Sequence, residues 1–303
     1  MFFDARIRIE QPKLPLLLDR GYTVVDMHTH TNHSDGMLTV EELLAKTKRL
    51  GIGISITDHN EVSGAVKAQR IKDNIMVIPG IEFHPYEGMH LLGYFSRVSE
   101  LQAFYDNCVK KYLTSDKIGY LNINCEEIVE CSKDYNALIS AAHPFSVGWV
   151  GLGKHDGFER LDKKMIKRID ALEVINGGNL KRWNKKAIKL ARETDSGITG
   201  GSDAHTNFEF GSVVTFTKEQ DDVADFLESI RKKNNFVTGK QIKFFKKARI
   251  QYSKFSEMHM NKGMRIKTGW TYVKQNKYVR NKRRVIDFKN RIKEFLKEKI
   301  KIE

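Results

Sequence analysis

Histidine and carboxylate side chains that suit a metal ion are concentrated just after an apolar stretch at residues 24–27. His28 and His30 occupy alternate positions of a predicted strand, so both imidazoles point to the same side and are able to bind one cation. Asp35 follows in the adjoining loop, within reach of the same cavity. A lone His-x-His pair is weak evidence, because two exposed histidines on a strand look the same. The hypothesis of a metal site therefore requires further ligands elsewhere in the chain.

Further histidines and carboxylates adjoin other apolar, strand-like runs. Those at residues 52–57, 76–81, 137–142 and 197–202 each lead directly into such side chains, and a histidine opens the run at 91–95. These candidate ligands are His59, Glu82, His90, His143, Asp203 and His205. A barrel of parallel strands gathers its active-site residues at the C-terminal ends of the strands. The sequence thus predicts one site at which these side chains converge.

The mixture of imidazole and carboxylate donors, with no cysteine, suits Mn²⁺, Zn²⁺ or Fe better than an oxygen-ligated Mg²⁺ or Ca²⁺ site. Two such ions clamp a phosphate and lower the pKa of a bound water, so the expected nucleophile is a metal-bound hydroxide. Asp26 and Asp58 each stand just before a candidate ligand and are expected to orient these ligands. Direct metal binding by Asp58 is the alternative.

In chain order, the motifs read Asp-x-His-x-His-x4-Asp-Gly, Thr-Asp-His, Gly-Ile-Glu, Ala-His-Pro and Gly-Ser-Asp-Ala-His. As an ordered set they resemble the motifs of the PHP (polymerase and histidinol phosphatase) family, from about residue 23 to about residue 216. The resemblance implies an α/β fold, a distorted (β/α)7 TIM-like barrel, that holds two or three divalent metal ions. It also implies that the protein hydrolyses phosphate esters.

The resemblance assigns roles to individual residues. Eight positions match the ligand positions of the family, and His90 resembles an additional histidine that opens a His-x-Leu-Gly segment in some members. The implied metal ligands are His28, His30, Asp35, His59, Glu82, His90, His143, Asp203 and His205. Glu82 is the implied bridging carboxylate, and Glu82, Asp203 and His205 are the implied catalytic residues.

A basic pair near a predicted strand end is the candidate phosphate-binding element. The apolar run at residues 171–176 ends at Asn176, and Lys181 and Arg182 open the next predicted helix. A cation near a helix N-terminus is able to bind a phosphate or attract a nucleotide, and the alternative is a solvated basic helix. Many PHP relatives carry a basic residue after Glu-Val-x-Asn, which favours Arg182. Asn176 is predicted to contact the substrate or to orient a ligand.

The chain of 303 residues is long enough for one barrel and an appendage. We expect an N-terminal extension at residues 1–21, the barrel at 22–239 and a separate extension at 240–303. No apolar run approaches the roughly 18 residues of a membrane span, and no signal peptide is evident. The three scattered cysteines argue against a disulfide framework. These features predict a cytoplasmic protein without a transmembrane segment.

Alternating strands and helices are predicted up to about residue 232. Helices are predicted at residues 39–50, 61–70, 98–112, 158–169, 180–194 and 220–232. The segment 114–134 is less regular and is expected to form a helical excursion before the strand at residue 137. The alternating residues 6–10 predict an edge strand.

The positive charge of the chain is concentrated at its C-terminus. Residues 240–303 hold 21 Lys and Arg against 5 Asp and Glu, a net charge of +16, whereas residues 1–239 hold 31 against 33, a net charge of −2. Nine aromatic residues lie among these charges, and apolar positions at residues 285–296 recur at helical spacing. Three roles remain open for this partly helical extension: it binds a polynucleotide, lies on an anionic membrane surface, or packs against the barrel.

The combined prediction is a metal-dependent phosphoesterase whose substrate is a nucleotide or a short oligonucleotide. The main alternative is a small-molecule phosphatase that acts on a histidinol-phosphate-like compound or a nucleoside bisphosphate. A non-catalytic metal-binding module that docks nucleic acid is another, although the intact ligand set argues against it. An amidohydrolase-type barrel also begins with His-x-His, but it does not account for Asp35, Thr-Asp-His or Gly-Ile-Glu.

Overall fold

A computed structural model describes residues 6–114, 119–145, 163–220 and 222–241. In this part of the chain, ten strands form one mixed sheet and eight α-helices accompany it. The strands are β1 (Ile7–Arg8), β2 (Tyr22–Thr29), β3 (Gly53–Ile56), β4 (Val77–Phe83), β5 (Leu91–Tyr94), β6 (Leu138–Ala141), β7 (Ala171–Asn176), β8 (Gly197–Gly201), β9 (Val213–Lys218) and β10 (Phe236–Gly239). The helices are α1 (Leu14–Asp19), α2 (Val40–Leu50), α3 (Ser63–Ile71), α4 (Val98–Phe104), α5 (Cys125–Ser132), α6 (Lys163–Ile166), α7 (Lys181–Thr194) and α8 (Val223–Arg231).

The order of strands in the sheet is β1-β10-β9-β2-β3-β4-β5-β6-β7-β8. Strands β2, β3 and β4 run parallel to one another, as do β6, β7 and β8. Strand β5 is antiparallel to both of its neighbours, so the two parallel groups share one direction. The C-terminal ends of six strands therefore lie at the same edge of the sheet as the N-terminal end of β5.

The sheet curls until the chain beyond β8 reaches the end of β2. The backbone N–H of His30 donates to Ala204 O at 2.9 Å, and the N–H of Asp203 donates to His28 O at 2.8 Å. This close approach requires glycine at the end of β8, because a Cβ atom on Gly201 would lie 2.3 Å from His28 Cβ and 2.5 Å from His28 N. The curled sheet with helices around it confirms the predicted barrel-like α/β fold.

Apolar side chains pack on both faces of the sheet. Consecutive residues of a strand point to opposite faces, and accordingly Leu91 and Leu92 belong to two different buried clusters. The larger cluster joins the strands to α2, α3, α4 and α5. The smaller one, which includes Met27 and Tyr94, is completed by Phe226, Leu227 and Ile230 of α8. Both faces are thus buried, which agrees with the nearly continuous apolar runs of the strands.

The structure also departs from the sequence-based expectations. The helix predicted at residues 98–112 is α-helical only to Phe104. It continues as a short π-helix at Tyr105–Val109 and a 3-10 helix at Lys110–Tyr112. Cys108 and Cys131 form a disulfide with a Cα–Cα distance of 6.3 Å, a single pair where the sequence argued against a disulfide framework. Their 23-residue separation gave no sign of it, because the pairing depends on tertiary packing.

Some predictions fall beyond the described residues. The basic extension at residues 240–303 is described only at its first two positions, and the division of the chain at residues 21 and 239 stays a prediction. The edge strand predicted at residues 6–10 corresponds to β1, which pairs with β10. Within the described ranges, every helix is too short or too polar to cross a membrane.

Candidate metal centre

All nine predicted metal ligands lie in one cluster at the edge of the sheet where the six parallel strands end. They form four overlapping groups, in each of which one donor atom per residue lies within 4.8 Å of the others. The groups are His30, Asp35, His59 and His205; His28, His30 and Asp203; His28, Glu82 and His143; and His59, Glu82 and His90. His90 reaches the cluster because it precedes β5, whose reversed direction brings its N-terminal end to the same edge.

Glu82 occupies the centre of the cluster, and its carboxylate lies against five imidazoles. Oε2 is 3.2–3.3 Å from ring nitrogens of three histidines, and Oε1 is 2.9–3.0 Å from ring nitrogens of two more. These histidines are, in the same order, His28, His30 and His59, and then His90 and His143. Glu82 thereby belongs to two of the four groups and links them, as a bridging carboxylate would.

Asp203 and Asp35 complete the cluster on its more exposed side. Asp203 Oδ1 lies 3.3 Å from His30 Nε2 and 3.6 Å from His28 Nε2. Asp35 Oδ2 lies 3.1 Å from His205 Nε2, and Asp35 Oδ1 lies 3.8 Å from His59 Nε2. The side chains of Asp35 and Asp203 are 32% and 19% exposed, whereas that of Glu82 is 1% exposed. The cluster therefore opens to solvent past these two aspartates.

Two of these histidines have a defined partner for the ring nitrogen that faces away from the cluster. His28 Nδ1 lies 2.9 Å from Glu173 Oε1, and His205 Nδ1 lies 2.9 Å from the backbone oxygen of Asp203. An N–H at Nδ1 that donates to such an oxygen leaves the Nε2 lone pair free for a metal ion. The outer contacts thus favour the tautomers that metal binding requires.

The backbone is strained at two of the candidate ligands. His143 has φ 30° and Asp203 has φ 53°, both in the left-handed region that residues other than glycine rarely adopt. Such conformations cost about 1–3 kcal/mol each and are concentrated at functional sites. The surrounding structure therefore holds these two residues in the cluster, in backbone conformations that they would not adopt in isolation.

Burial and the contacts within the cluster shift the pKa values of its side chains in opposite directions. Burial alone would lower the pKa of His28, but Glu173, Glu82 and Asp203 outweigh it and hold that pKa well above its ordinary value. Burial alone would raise the pKa of Glu82, but the surrounding histidines hold it well below its usual range. Burial lowers the pKa of His59 to about 3, so this imidazole is neutral and available as a donor.

The donor set fits divalent cations. With neutral imidazoles, the carboxylates of Asp35, Glu82 and Asp203 bring three negative charges into a largely buried site, and such charges need compensation. Glu82 Oε2 and His59 Nδ1 are buried and make no hydrogen bond within the described part of the chain. Nitrogen and oxygen donors that converge without bonding one another are what a bound cation would satisfy.

Asp26 and Asp58, predicted to orient ligands, each hold a backbone segment that carries one. Asp58 accepts hydrogen bonds from the N–H and the hydroxyl of Thr31, both at 2.7 Å, and from the Ser34 hydroxyl at 2.6 Å, in the loop that leads to Asp35. Asp26 accepts from the N–H groups of Ser202 and Gly211, each at 2.8 Å, on either side of Asp203 and His205. Burial raises the pKa of Asp26 to about 6.

The three predicted substrate-binding residues lie in different environments. Asn176 is buried, and its amide donates to Glu173 Oε2 at 2.9 Å and to Asp203 Oδ2 at 3.3 Å. Lys181 and Arg182 are exposed at the start of α7, where the Arg182 guanidinium lies 5.3 Å from the centre of the Trp183 ring. Asn176 thus contacts the cluster through Glu173 and Asp203, while the basic pair faces solvent.

Glu173 is a residue of the site that the motifs did not predict. It is 1% exposed and lies in β7 between apolar neighbours. Its position inside an otherwise apolar strand was the sequence feature that could have identified it. A charged residue buried in a strand needs a partner, and such a partner indicates a functional site.

Comparison with known proteins agrees with the motifs. A family model described as PHP-associated matches residues 181–235. The 5'-3' exoribonuclease Rnm of Salmonella typhimurium is 37% identical over 73 residues, which is 22% of this chain and 25% of the exoribonuclease. The match thus spans about a quarter of the length of that relative.

Solved structures share the fold. A two-domain protein of Bacteroides vulgatus, which contains a predicted PHP-like metal-dependent phosphoesterase, has a TM-score of 0.53 at 17% identity, over 79% of this chain and 70% of its own. The lesion-specific endonuclease, Endonuclease Q, of Pyrococcus furiosus has a TM-score of 0.53 at 18% identity, over 71% and 57%. At these identities the similarity establishes the fold. The motifs, the fold that brings them together and the PHP-associated match agree in a similarity to the PHP family.

Proposed function

We propose that the protein is a metal-dependent phosphoesterase that hydrolyses phosphate esters of nucleotides or short oligonucleotides. The observation that carries this proposal is the convergence of nine imidazole and carboxylate side chains around Glu82. Two or three divalent ions (Mn, Zn or Fe) fit such a donor set. When bound, these ions supply positive charge for the phosphate and activate water for attack.

The exposure of the cluster indicates how the substrate approaches. Three members of the cluster, His28, His30 and Glu82, are buried. The side chains of three others are partly exposed: Asp35 is 32%, Asp203 19% and His205 18% exposed. A phosphate that enters from solvent meets Asp35, Asp203 and His205 before it reaches Glu82. We propose Asp203, His205 and Glu82 as the catalytic residues, with Glu82 linking two of the four groups.

The exposed pair at the start of α7 is proposed to bind the rest of the substrate. Lys181 and Arg182 follow Asn176 by a short turn, and Asn176 contacts Asp203 directly, which supports a proposed position of the pair near the open side of the cluster. A guanidinium binds a phosphate through two parallel hydrogen bonds. The similarity to an exoribonuclease and to a lesion-specific endonuclease supports nucleotide-containing substrates.

Phosphate release from a panel of substrates tests the proposal. The panel contains nucleotides, phosphorylated oligonucleotides, histidinol phosphate and a nucleoside bisphosphate, each with Mn²⁺, Zn²⁺ or Fe²⁺ added. We expect hydrolysis of nucleotide esters that chelation abolishes and that Asp203→Asn lowers by orders of magnitude. Activity that survives prolonged chelation, or no hydrolysis of any substrate with any of these ions, would contradict the proposal.

The near-neutral barrel is the observation that favours the small-molecule alternative. Residues 1–239 carry a net charge of −2, so polynucleotide affinity is proposed to depend on the basic extension. Simultaneous Lys282→Glu, Arg283→Glu and Arg284→Glu substitutions should weaken oligonucleotide binding and flatten its salt dependence, and should leave hydrolysis of a small ester nearly unchanged. Equal affinity and salt slope in this variant and the parent would favour the small-molecule phosphatase.

A further inference from the structure

Glu173 is a buried carboxylate that contacts the cluster but belongs to none of the four groups of candidate ligands. Its Oε1 lies 2.9 Å from His28 Nδ1. Its Oε2 accepts a hydrogen bond from the backbone N–H of His143 at 2.7 Å and another from the Asn176 amide at 2.9 Å. Both oxygens are therefore occupied by donors from three different positions.

The contact with His28 selects one tautomer of that imidazole. Because a carboxylate accepts and does not donate, His28 must carry its proton on Nδ1. In the neutral imidazole that a metal ion binds, the lone pair is then on Nε2, which faces the cluster 3.3 Å from Glu82 Oε2 and 3.6 Å from Asp203 Oδ1. The opposite tautomer would place an N–H toward the ion and a lone pair against the Glu173 carboxylate, and both contacts would be unfavourable.

The second oxygen of Glu173 reaches two further ligands. The backbone N–H of His143 donates to Glu173 Oε2. Because His143 has φ 30°, this hydrogen bond helps to hold a strained backbone conformation. The Asn176 amide donates both to Glu173 and, at 3.3 Å, to Asp203 Oδ2. The Asn176 side-chain oxygen is held in turn by the N–H of Gly178 at 2.8 Å, which fixes the orientation of the amide.

We propose that Glu173 is the positioning residue of the metal centre, which orients His28 directly, His143 through its backbone and Asp203 through Asn176. One carboxylate on β7 would thereby set a ligand within β2 and ligands that follow β6 and β8. This inference rests on the proposed metal-dependent function. Groups that orient metal ligands typically change metal affinity by about 10–100-fold when they are removed.

Metal affinity of the full-length protein with Glu173→Gln tests the inference. Glutamine keeps the size of the side chain. Its NH₂ group, however, would face an N–H group whose hydrogen bond one carboxylate oxygen of Glu173 now accepts, and two donors repel each other. We expect Mn²⁺ to bind about 10–100-fold more weakly, measured by calorimetric titration. The matched control is Asp170→Asn, just before β7, because Asp170 Oδ2 also accepts a backbone N–H across to β6, from Ile139 at 2.7 Å. That variant should lose some thermal stability and keep the parent affinity.

A second measurement keeps the inference testable if Glu173→Gln does not fold. In ¹⁵N-edited NMR spectra of the parent loaded with diamagnetic Zn²⁺, the His28 ring should carry its proton on Nδ1. Asn176→Ala, which retains Glu173, should weaken Mn²⁺ binding less than Glu173→Gln does. Parent-like affinity in Glu173→Gln, or an Nε2–H tautomer at His28, would overturn the positioning role and leave the metal-dependent function standing. A parent that binds none of Mn²⁺, Zn²⁺ and Fe²⁺ would overturn both.

Discussion

Charged residues at the edge of the sheet form buried pairs, whereas those on the surrounding helices form exposed pairs. On α7, Lys189 and Glu193 pair at 3.6 Å with side chains 78% and 58% exposed, and such a pair contributes at most about 1 kcal/mol. At the edge of the sheet, His28 and Glu82 lie 3.3 Å apart with side chains 0% and 1% exposed. Removal of one partner from a buried pair costs about 3–5 kcal/mol, because it leaves a charge without compensation.

The difference shows which part of the molecule depends on a ligand. Solvent compensates the helical charges, so these helices need no ion. The cluster excludes solvent from Glu82 and has to be neutralised by protons on its histidines or by bound cations. We therefore expect changes at the edge of the sheet to alter metal binding and activity, and changes in the helices, apart from the proposed substrate-binding pair at the start of α7, to alter stability alone.

The largest effect is expected from Glu82→Gln. Loss of the carboxylate that contacts five imidazoles should lower turnover by orders of magnitude. It should also abolish the stabilisation by metal, which for the parent is about 2.7 kcal/mol when Mn²⁺ is present at 100 times its Kd. Thermal unfolding with Mn²⁺ and with chelator measures this difference. The control is Asp73→Asn, in an exposed pair with Lys48, which should respond to Mn²⁺ as the parent does.

A pair of glycine substitutions compares the two regions through the backbone. Gly201→Ala would place a Cβ atom 2.3 Å from His28 Cβ and 2.5 Å from His28 N, and a backbone atom cannot yield, so we expect more than about 4 kcal/mol of destabilisation. Gly51→Ala, at the C-cap of α2 with φ 67°, should cost about 1–2 kcal/mol. Chemical denaturation measures both. Similar costs at the two positions would mean that β8 has room to move away from β2.

An intermediate effect is expected from Asp58→Asn. The three hydrogen bonds that Asp58 accepts from Thr31 and Ser34 hold the loop before Asp35, and asparagine retains only part of them. Mn²⁺ affinity should fall by about 10–100-fold, because a displaced loop misplaces Asp35. Gly64→Ala should act in the same way, since its Cβ would lie 2.3 Å from Asp58 Oδ2. Complete loss of bound metal in Asp58→Asn would instead indicate that Asp58 is a ligand.

The sequence predicted the convergence of the nine ligands because each adjoins an apolar run, and parallel strands bring their C-terminal ends to one edge. His90 is informative, because it precedes its strand. It reaches Glu82 at 2.9 Å only because β5 runs antiparallel to β4 and β6, and the reversal of a four-residue strand leaves no local signal.

What the sequence did not show depends on contacts between distant segments. Glu173 and His28 are 145 residues apart, and their 2.9 Å contact exists only after the sheet has curled. The Cys108–Cys131 pair likewise depends on how the turn after α4 packs against α5. Helix boundaries were predicted better where a local cap defines them, as for the helix predicted at residues 39–50, which begins after the N-cap Thr39 and is observed as α2 (Val40–Leu50).

The smallest effect is expected at Thr39, the N-cap of α2. Its hydroxyl accepts from the N–H of Glu42 at 3.2 Å, and Glu42 Oε2 accepts from the N–H of Thr39 at 2.8 Å, so the two residues form a capping box. Thr39→Ala should lower the free energy of unfolding by about 1 kcal/mol, and Thr39→Ser, which retains the hydroxyl, should restore most of it. Neither variant should change Mn²⁺ affinity, even though Thr39 stands only four residues after Asp35, because the Asp35 loop is held by Asp58 and not by the cap. A tenfold loss of affinity in Thr39→Ala would show that the helices and the metal centre are coupled, and that the distinction between ligand-dependent and ligand-independent regions does not hold at α2.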